Sequence, residues 1–183
     1  ILAAVLPDLS HAAAGKPVDS VLDRLAGRGE DLLWAAFLWP LGPDCADATL
    51  KDLRASNRQR RAVAGAIAVG WAAADLPFDD IAAEKRLLRR EVAGAGIEVA
   101  GAYAEALGTR IAGIDHARAR LSAWTPADMF PERLVDGTDA VAAGLAGRAI
   151  AAALESVEDA QLRGDVTTRD SALAFLAKGD SPL

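Results

Sequence analysis

Five basic side chains, Lys51, Arg54, Arg58, Arg60 and Arg61, face a single acid, Asp52, across eleven residues. That density is the chemistry of anion recognition, because a guanidinium offers five donors in a planar fork matching phosphate or carboxylate oxygens. A second cluster, Lys85, Arg86, Arg89 and Arg90, places Arg86 and Arg90 four apart with Arg89 beside them, the spacing of one helix face. Glu84 and Glu91 neutralise it in part. Two such clusters in consecutive helices make a stripe for a phosphate backbone, and the competing reading is an ordinary solvated surface. Gly147 and Arg148 open a further helix, where backbone N–H groups at the positive end of the dipole hold a phosphate. A tight turn that uses glycine for close packing reads the same residues equally well.

Other chemistries find no support. His11 and His116 are far apart, and neither has a second ligand three or four residues away, so no metal site is expected; His116, between Asp115 and Arg118, reads as solvent-exposed. Cys45, the one cysteine, makes no internal disulfide, reads as a lone loop thiol, and sets a reducing compartment as the default. Gly144-Leu145-Ala146-Gly147 lacks the lysine and hydroxyl of a phosphate-binding loop. Adjacent acids on a helix point in different directions, so Asp79-Asp80 and Glu158-Asp159 do not converge as a catalytic dyad. No catalytic residue is expected in this chain.

These residues sit on helices. Alanine, the best helix former, dominates the 52% hydrophobic content, and strand-forming aromatics make up only 5%. The fold class expected is all-α without a sheet: a multi-helix body and a smaller C-terminal helical tail. Pro17 starts a short helix that Gly27 and Gly29 close. Leu32 to Trp39 is apolar all round, a buried central helix that Pro40 and Gly42 end. Asp47 caps a short helix carrying Leu50 and Leu53, and Ser56 with Gln59 makes a capping-box pattern for a long one bearing Val63, Ile67, Trp71 and Ala74 on one face. Asp75-Leu76-Pro77 ends it, and Asp79 or Asp80 caps the next, which Gly94 and Gly96 break. Helical stretches follow from Ile97 to Leu107 and Thr109 to Ala123. Pro126, Pro131 and Gly137 mark a linker over 124–137, dividing a body (1–123) from a tail (138–183). In the tail, Asp139 caps a short turn, and Thr167 with Asp170 opens the last helix.

The 183 residues suffice for one large or two small domains. The net charge of −6 divides into −4 over 1–50, +3 over 51–127 and −5 over 128–183, so the basic part is the middle. Charged residues interrupt every apolar stretch before membrane-spanning length, so no membrane partner is expected. The start at Ile1, with Ile1 to Leu6 too short for a signal peptide, reads as a cut in a longer chain.

The segment from Asp31 to Gly42, followed by Leu50-Lys-Asp-Leu-Arg-Ala-Ser-Asn-Arg-Gln-Arg-Arg61, resembles the helical body of bacterial tRNA nucleotidyltransferases (CCA-adding enzymes) and the related poly(A) polymerases, where a leucine-rich helix leads to a Leu-Arg-x-Ser-Asn-x-x-Arg-Arg segment. Leu134 to Asp139, Ala143 to Gly147 and Gln161-Leu-Arg-Gly-Asp-Val-Thr-Thr-Arg-Asp170 with Ala172-Leu173 resemble that family's tail. The likeness spans nearly the whole chain, in order. It departs at Trp39-Pro40, where some relatives carry a metal-binding His-Asp pair and where the poly(A) polymerase branch is the nearer match. It departs again at Gly147-Arg148 and Ile150-Ala151, where the family has Gly-Pro and Ile-Gly.

The resemblance implies that body and tail hold the elbow and TΨC side of tRNA by its phosphates. Catalysis, with Mg2+ and ATP or CTP, would belong to an N-terminal nucleotidyltransferase head and neck with no counterpart here. The expectation is thus a cytoplasmic RNA-binding region without its own active site or cofactor, contacting phosphate through Lys51, Arg54, Arg58, Arg60, Arg61, Arg86, Arg89, Arg90, Gly147 and Arg148. The alternative is a helical protein-interaction or scaffolding domain that does not bind RNA.

Overall fold

The computed structural model describes residues 7–75 and 79–178; the readings made at Ile1 to Leu6 and Leu76-Pro77 lie outside the described residues. The protein is all-α, with no strand among the described residues. Its helices are α1 (Pro7–Ala12), α2 (Val18–Arg24), α3 (Glu30–Leu38) with a 3-10 turn (Trp39–Leu41), α4 (Pro43–Asp52), α5 (Asn57–Ala74) and α6 (Ile81–Leu88). They continue as α7 (Ala93–Ala106), α8 (Ala112–Ala123), α9 (Pro126–Met129), α10 (Gly137–Ala142), α11 (Arg148–Arg163) and α12 (Arg169–Lys178). None of the described helices is long and apolar enough to cross a membrane.

Two compact units form. The first comprises α1 to α5 with α7 and α8, and the second comprises α6 with α9 to α12. This division differs from the body (1–123) and tail (138–183) expected from composition. Helix α6 joins the C-terminal segment because its side chains find their partners there: Lys85 Nζ donates to the Leu162 carbonyl at 2.8 Å, and Arg86 and Arg89 meet acids of α11. Residues 124–137 are more than a linker, since they hold α9, capped reciprocally by Thr125 and Asp128, and contribute Val135 to a core with Val157, Ala160, Val166, Ala172 and Leu176.

In the first unit the core gathers Leu9, Val21, Leu38, Leu50, Val63, Ile67 and Val99, all essentially inaccessible to solvent. Helices α5 and α7 touch through glycine. A methyl group at Gly70 would lie 2.6 Å from the Gly96 carbonyl oxygen, and one at Gly96 would collide with the Ala66 carbonyl oxygen. Gly94 and Gly96, expected to break a helix, lie inside α7: glycine costs a helix only about 1 kcal/mol, and at Gly96 close backbone packing repays it. Trp39 stacks on Tyr103 with ring centres 5.5 Å apart, and the Tyr103 hydroxyl donates to the Ala36 carbonyl at 2.8 Å. Burial pushes that phenol well above its ordinary range.

Helix starts match the sequence in part. Ser56 Oγ accepts from Gln59 N at 3.2 Å, and Asp80 accepts from Ala83 N at 3.0 Å. Asp47 is no cap, because Pro43 opens α4 four residues earlier and leaves Asp47 mid-helix. Asp136, rather than Asp139, caps α10, with Asp139 as the reciprocal partner three residues on. At α12 Thr168, rather than Thr167, pairs with Ser171.

Candidate functional site

Helix α4 ends in a tight left-handed turn. Ala55 N donates back to Leu50 O at 2.9 Å and Arg54 N to Lys51 O at 3.0 Å, closing the chain around Arg54 at φ 60°. Among the described residues Arg54 alone takes a positive φ without being glycine. Glycine normally fills this capping position, since a Cβ there costs about 1 kcal/mol. Two residues later Ser56 caps α5. The paired caps present Lys51, Arg54, Arg58 and Arg61, all exposed, from one short stretch of chain.

A groove of about 580 Å³ lies beside them, its lining drawn from α3, α5 and the chain entering α7. Arg58 and Arg61 of α5 line it together with Asp31 of α3 and Glu91 just before α7. Its apolar lining is Leu32, Ala62, Ala66, Val92 and Ala95. Beside the groove, Gly65 lets the lining residue Val92 come so near that a Cβ there would sit 3.2 Å from it. Arg58 Nη1 stands 3.4 Å from Asp31 Oδ2 while its side chain is 82% exposed, so that pair is loose. A recess of about 340 Å³, lined by Gly29, Glu30, Ser56 and Gln59, shares both residues.

Other basic residues singled out from the sequence are engaged elsewhere. Arg60 grips Asp47 across α4 and α5, with Nε to Oδ1 at 3.0 Å and Nη2 to Oδ2 alongside. The hydrogen bond from Arg60 holds the Asp47 carboxyl below its usual range, and the reciprocal bond raises the guanidinium. In the second unit Arg86 meets Glu155 at 2.8 Å, Glu158 at 3.3 Å and Asp159 at 2.8 Å, and Arg89 meets Glu158 at 2.7 Å. Burial pulls the Arg86 guanidinium down, but the Glu155 hydrogen bond and the charges of Asp159, Glu158 and Glu155 outweigh it and raise it. Glu158 is held low, chiefly by Arg89. The adjacent acids Glu158 and Asp159 therefore do converge, on one guanidinium whose nitrogens reach both. Helix α6 stops at Leu88, so Arg90 lies beyond it, exposed, and shares no helix face with Arg86. Gly147 caps α11 at φ 56° with no side-chain cap, and Arg148 follows, exposed, in the first turn.

Several lining residues carried no signal in the sequence. Asp31 and Glu91 are distant in the chain from Arg58 and come to line one groove with it only through the packing of α3, α5 and α7. In the second unit a cleft of about 380 Å³ is lined by Arg86, Arg89, Phe130, Arg133, Glu158 and Gln161 among others, with Arg89 over the Phe130 ring at 5.9 Å. His116 is half-buried and accepts from Arg120 Nε at 3.3 Å, unlike the exposed residue expected. Cys45 sits on α4, exposed, rather than in a loop. No group of three metal-ligating side chains gathers among the described residues. No protein-family model, curated protein or solved structure matches this chain.

Proposed function

We propose that this chain is the RNA-holding helical region of a tRNA nucleotidyltransferase or poly(A) polymerase, gripping phosphates in the first unit through Lys51, Arg54, Arg58 and Arg61. The nucleotide-adding chemistry, with its Mg2+ and ATP or CTP, falls to a separate head, and the setting is cytoplasmic. The observation that carries the reading is Arg54: a left-handed cap that glycine would fill at lower cost instead holds an exposed cation. Retaining a side chain at a strained position makes sense where that side chain has work outside the protein. Arg58 and Arg61 support it, lying early in α5 where the helix dipole disfavours cations. Arg60, Arg86 and Arg89, already held by the protein's own carboxylates, contribute structure instead.

Filter binding with tRNA over a salt series tests this. Four phosphate contacts give log K against log salt a slope of roughly −3 to −4. Substituting Arg58 and Arg61 together by alanine removes about half of it. No binding at low salt, or a slope unchanged in the double variant, overturns the reading in favour of a helical protein-interaction domain.

A further inference from the structure

We infer that the groove beside Arg58 and Arg61 selects ribose over deoxyribose, with the Glu91 carboxylate accepting a hydrogen bond from the 2′-hydroxyl of a nucleotide whose phosphates lie against the two arginines. This rests on the reading of the first unit as an RNA-holding surface and names what that surface recognises.

The groove's chemistry is mixed in a way that phosphate binding alone does not require. A site for a bare phosphate chain gathers cations, and acids beside it repel the ligand. Here Arg58 and Arg61 share one groove of about 580 Å³ with Asp31 and Glu91. Asp31 is accounted for by its pair with Arg58. Glu91 is exposed and has no hydrogen bond or ion pair among the described residues, although it stands in a groove lined by two arginines. Each ribonucleotide carries one anionic phosphate and, on the sugar, one neutral hydroxyl able to donate; deoxyribose lacks that donor. Two arginines, a carboxylate and a lining of alanine, leucine and valine match this sequence of groups: charge for phosphate, acceptor for hydroxyl, apolar surface for the sugar's carbon face. The alternative occupant, double-helical DNA, offers Glu91 only phosphates and carbon-bound hydrogens in its backbone.

The test measures binding of the full chain to three hairpins of one sequence, made of RNA, DNA and 2′-O-methyl RNA, by fluorescence anisotropy at fixed salt. The 2′-O-methyl hairpin keeps the A-form shape but has no hydroxyl to donate. The unsubstituted chain is expected to prefer RNA over both others by about tenfold, the worth of one hydrogen bond to a charged acceptor. In Glu91→Ala, DNA and 2′-O-methyl RNA bind more tightly because a repelling charge is gone, while RNA gains little, so the preference falls to within about twofold. If Glu91 only repels phosphate, all three affinities rise together and the ratio stays, which overturns the inference. A 2′-O-methyl hairpin binding like RNA overturns it as well, assigning any preference to helix shape. Equal binding of all three by the unsubstituted chain overturns it and leaves the RNA-holding reading standing, whereas no binding of any hairpin overturns both.

Discussion

Arg60 and Asp47 form a two-point ion pair that ties α5 to α4, while Arg58 and Arg61, two residues before and one after on the same helix, remain exposed. The geometry of α5 separates them: successive residues turn by 100°, so one arginine faces α4 while the others look outward. Neighbouring arginines with identical side chains therefore stand in opposite surroundings.

Alanine substitution should separate those roles. Arg60→Ala is expected to lower the thermal midpoint with little change in the salt slope of tRNA binding, while Arg58→Ala and Arg61→Ala reduce the slope and leave the midpoint near that of the unsubstituted chain. Thermal melts and salt titrations on the three variants check this. Equal stability loss in all three contradicts it.

Arg54→Gly should make the protein more stable and a poorer RNA binder. Relief of the left-handed backbone is worth about 1 kcal/mol, read as a higher urea midpoint, while the lost cation weakens tRNA binding. Arg54→Lys, which keeps charge and strain, is expected to match the original in both measurements.

The α5–α7 contact admits no side chain. Gly96→Ala drives a methyl group into the Ala66 carbonyl, and separating the helices to accommodate it should cost about 2–3 kcal/mol, measured by urea denaturation. Gly94→Ala in the same helix, where a Cβ meets nothing within 4 Å, should be neutral or slightly stabilising.

Acid should weaken the second unit. Arg89 holds Glu158 below its ordinary pKa of 4.5. Its contribution is therefore complete above the unfolded carboxyl's range and is lost as the pH falls through the lower folded value. Hydrogen exchange at α6 and α11 should be steady from neutral pH down to the ordinary glutamate range once corrected for intrinsic rates, then rise below it. Glu158→Gln should flatten that acid-side rise.

Helices were legible where one side chain settles the matter locally. Ser56 and Asp80 cap as their spacing predicts, and alanine content alone announces an all-α chain. Gly96 and Asp47 were misread for a common reason: whether a glycine breaks a helix or admits a neighbour, and whether an aspartate caps or pairs, depends on what packs against it from elsewhere. The groove was half legible. Arg58 and Arg61 stand out by charge, but Asp31 and Glu91 are 27 and 33 residues from Arg58 along the chain and enter only through tertiary packing. Arg86 and Arg89 looked available because the acids that hold them lie some 70 residues further on.

Helix α6 interrupts the first unit in sequence while belonging to the second in space. The path of the chain thus crosses between the units three times, and no single cut separates them. A chain ended after Ala123 would keep α6 but lose Leu162, Glu155 and Glu158, the partners of its Lys85, Arg86 and Arg89. The second unit draws on two stretches of chain with much of the first unit between them, so appending the segment that starts at Trp124 would not by itself supply it.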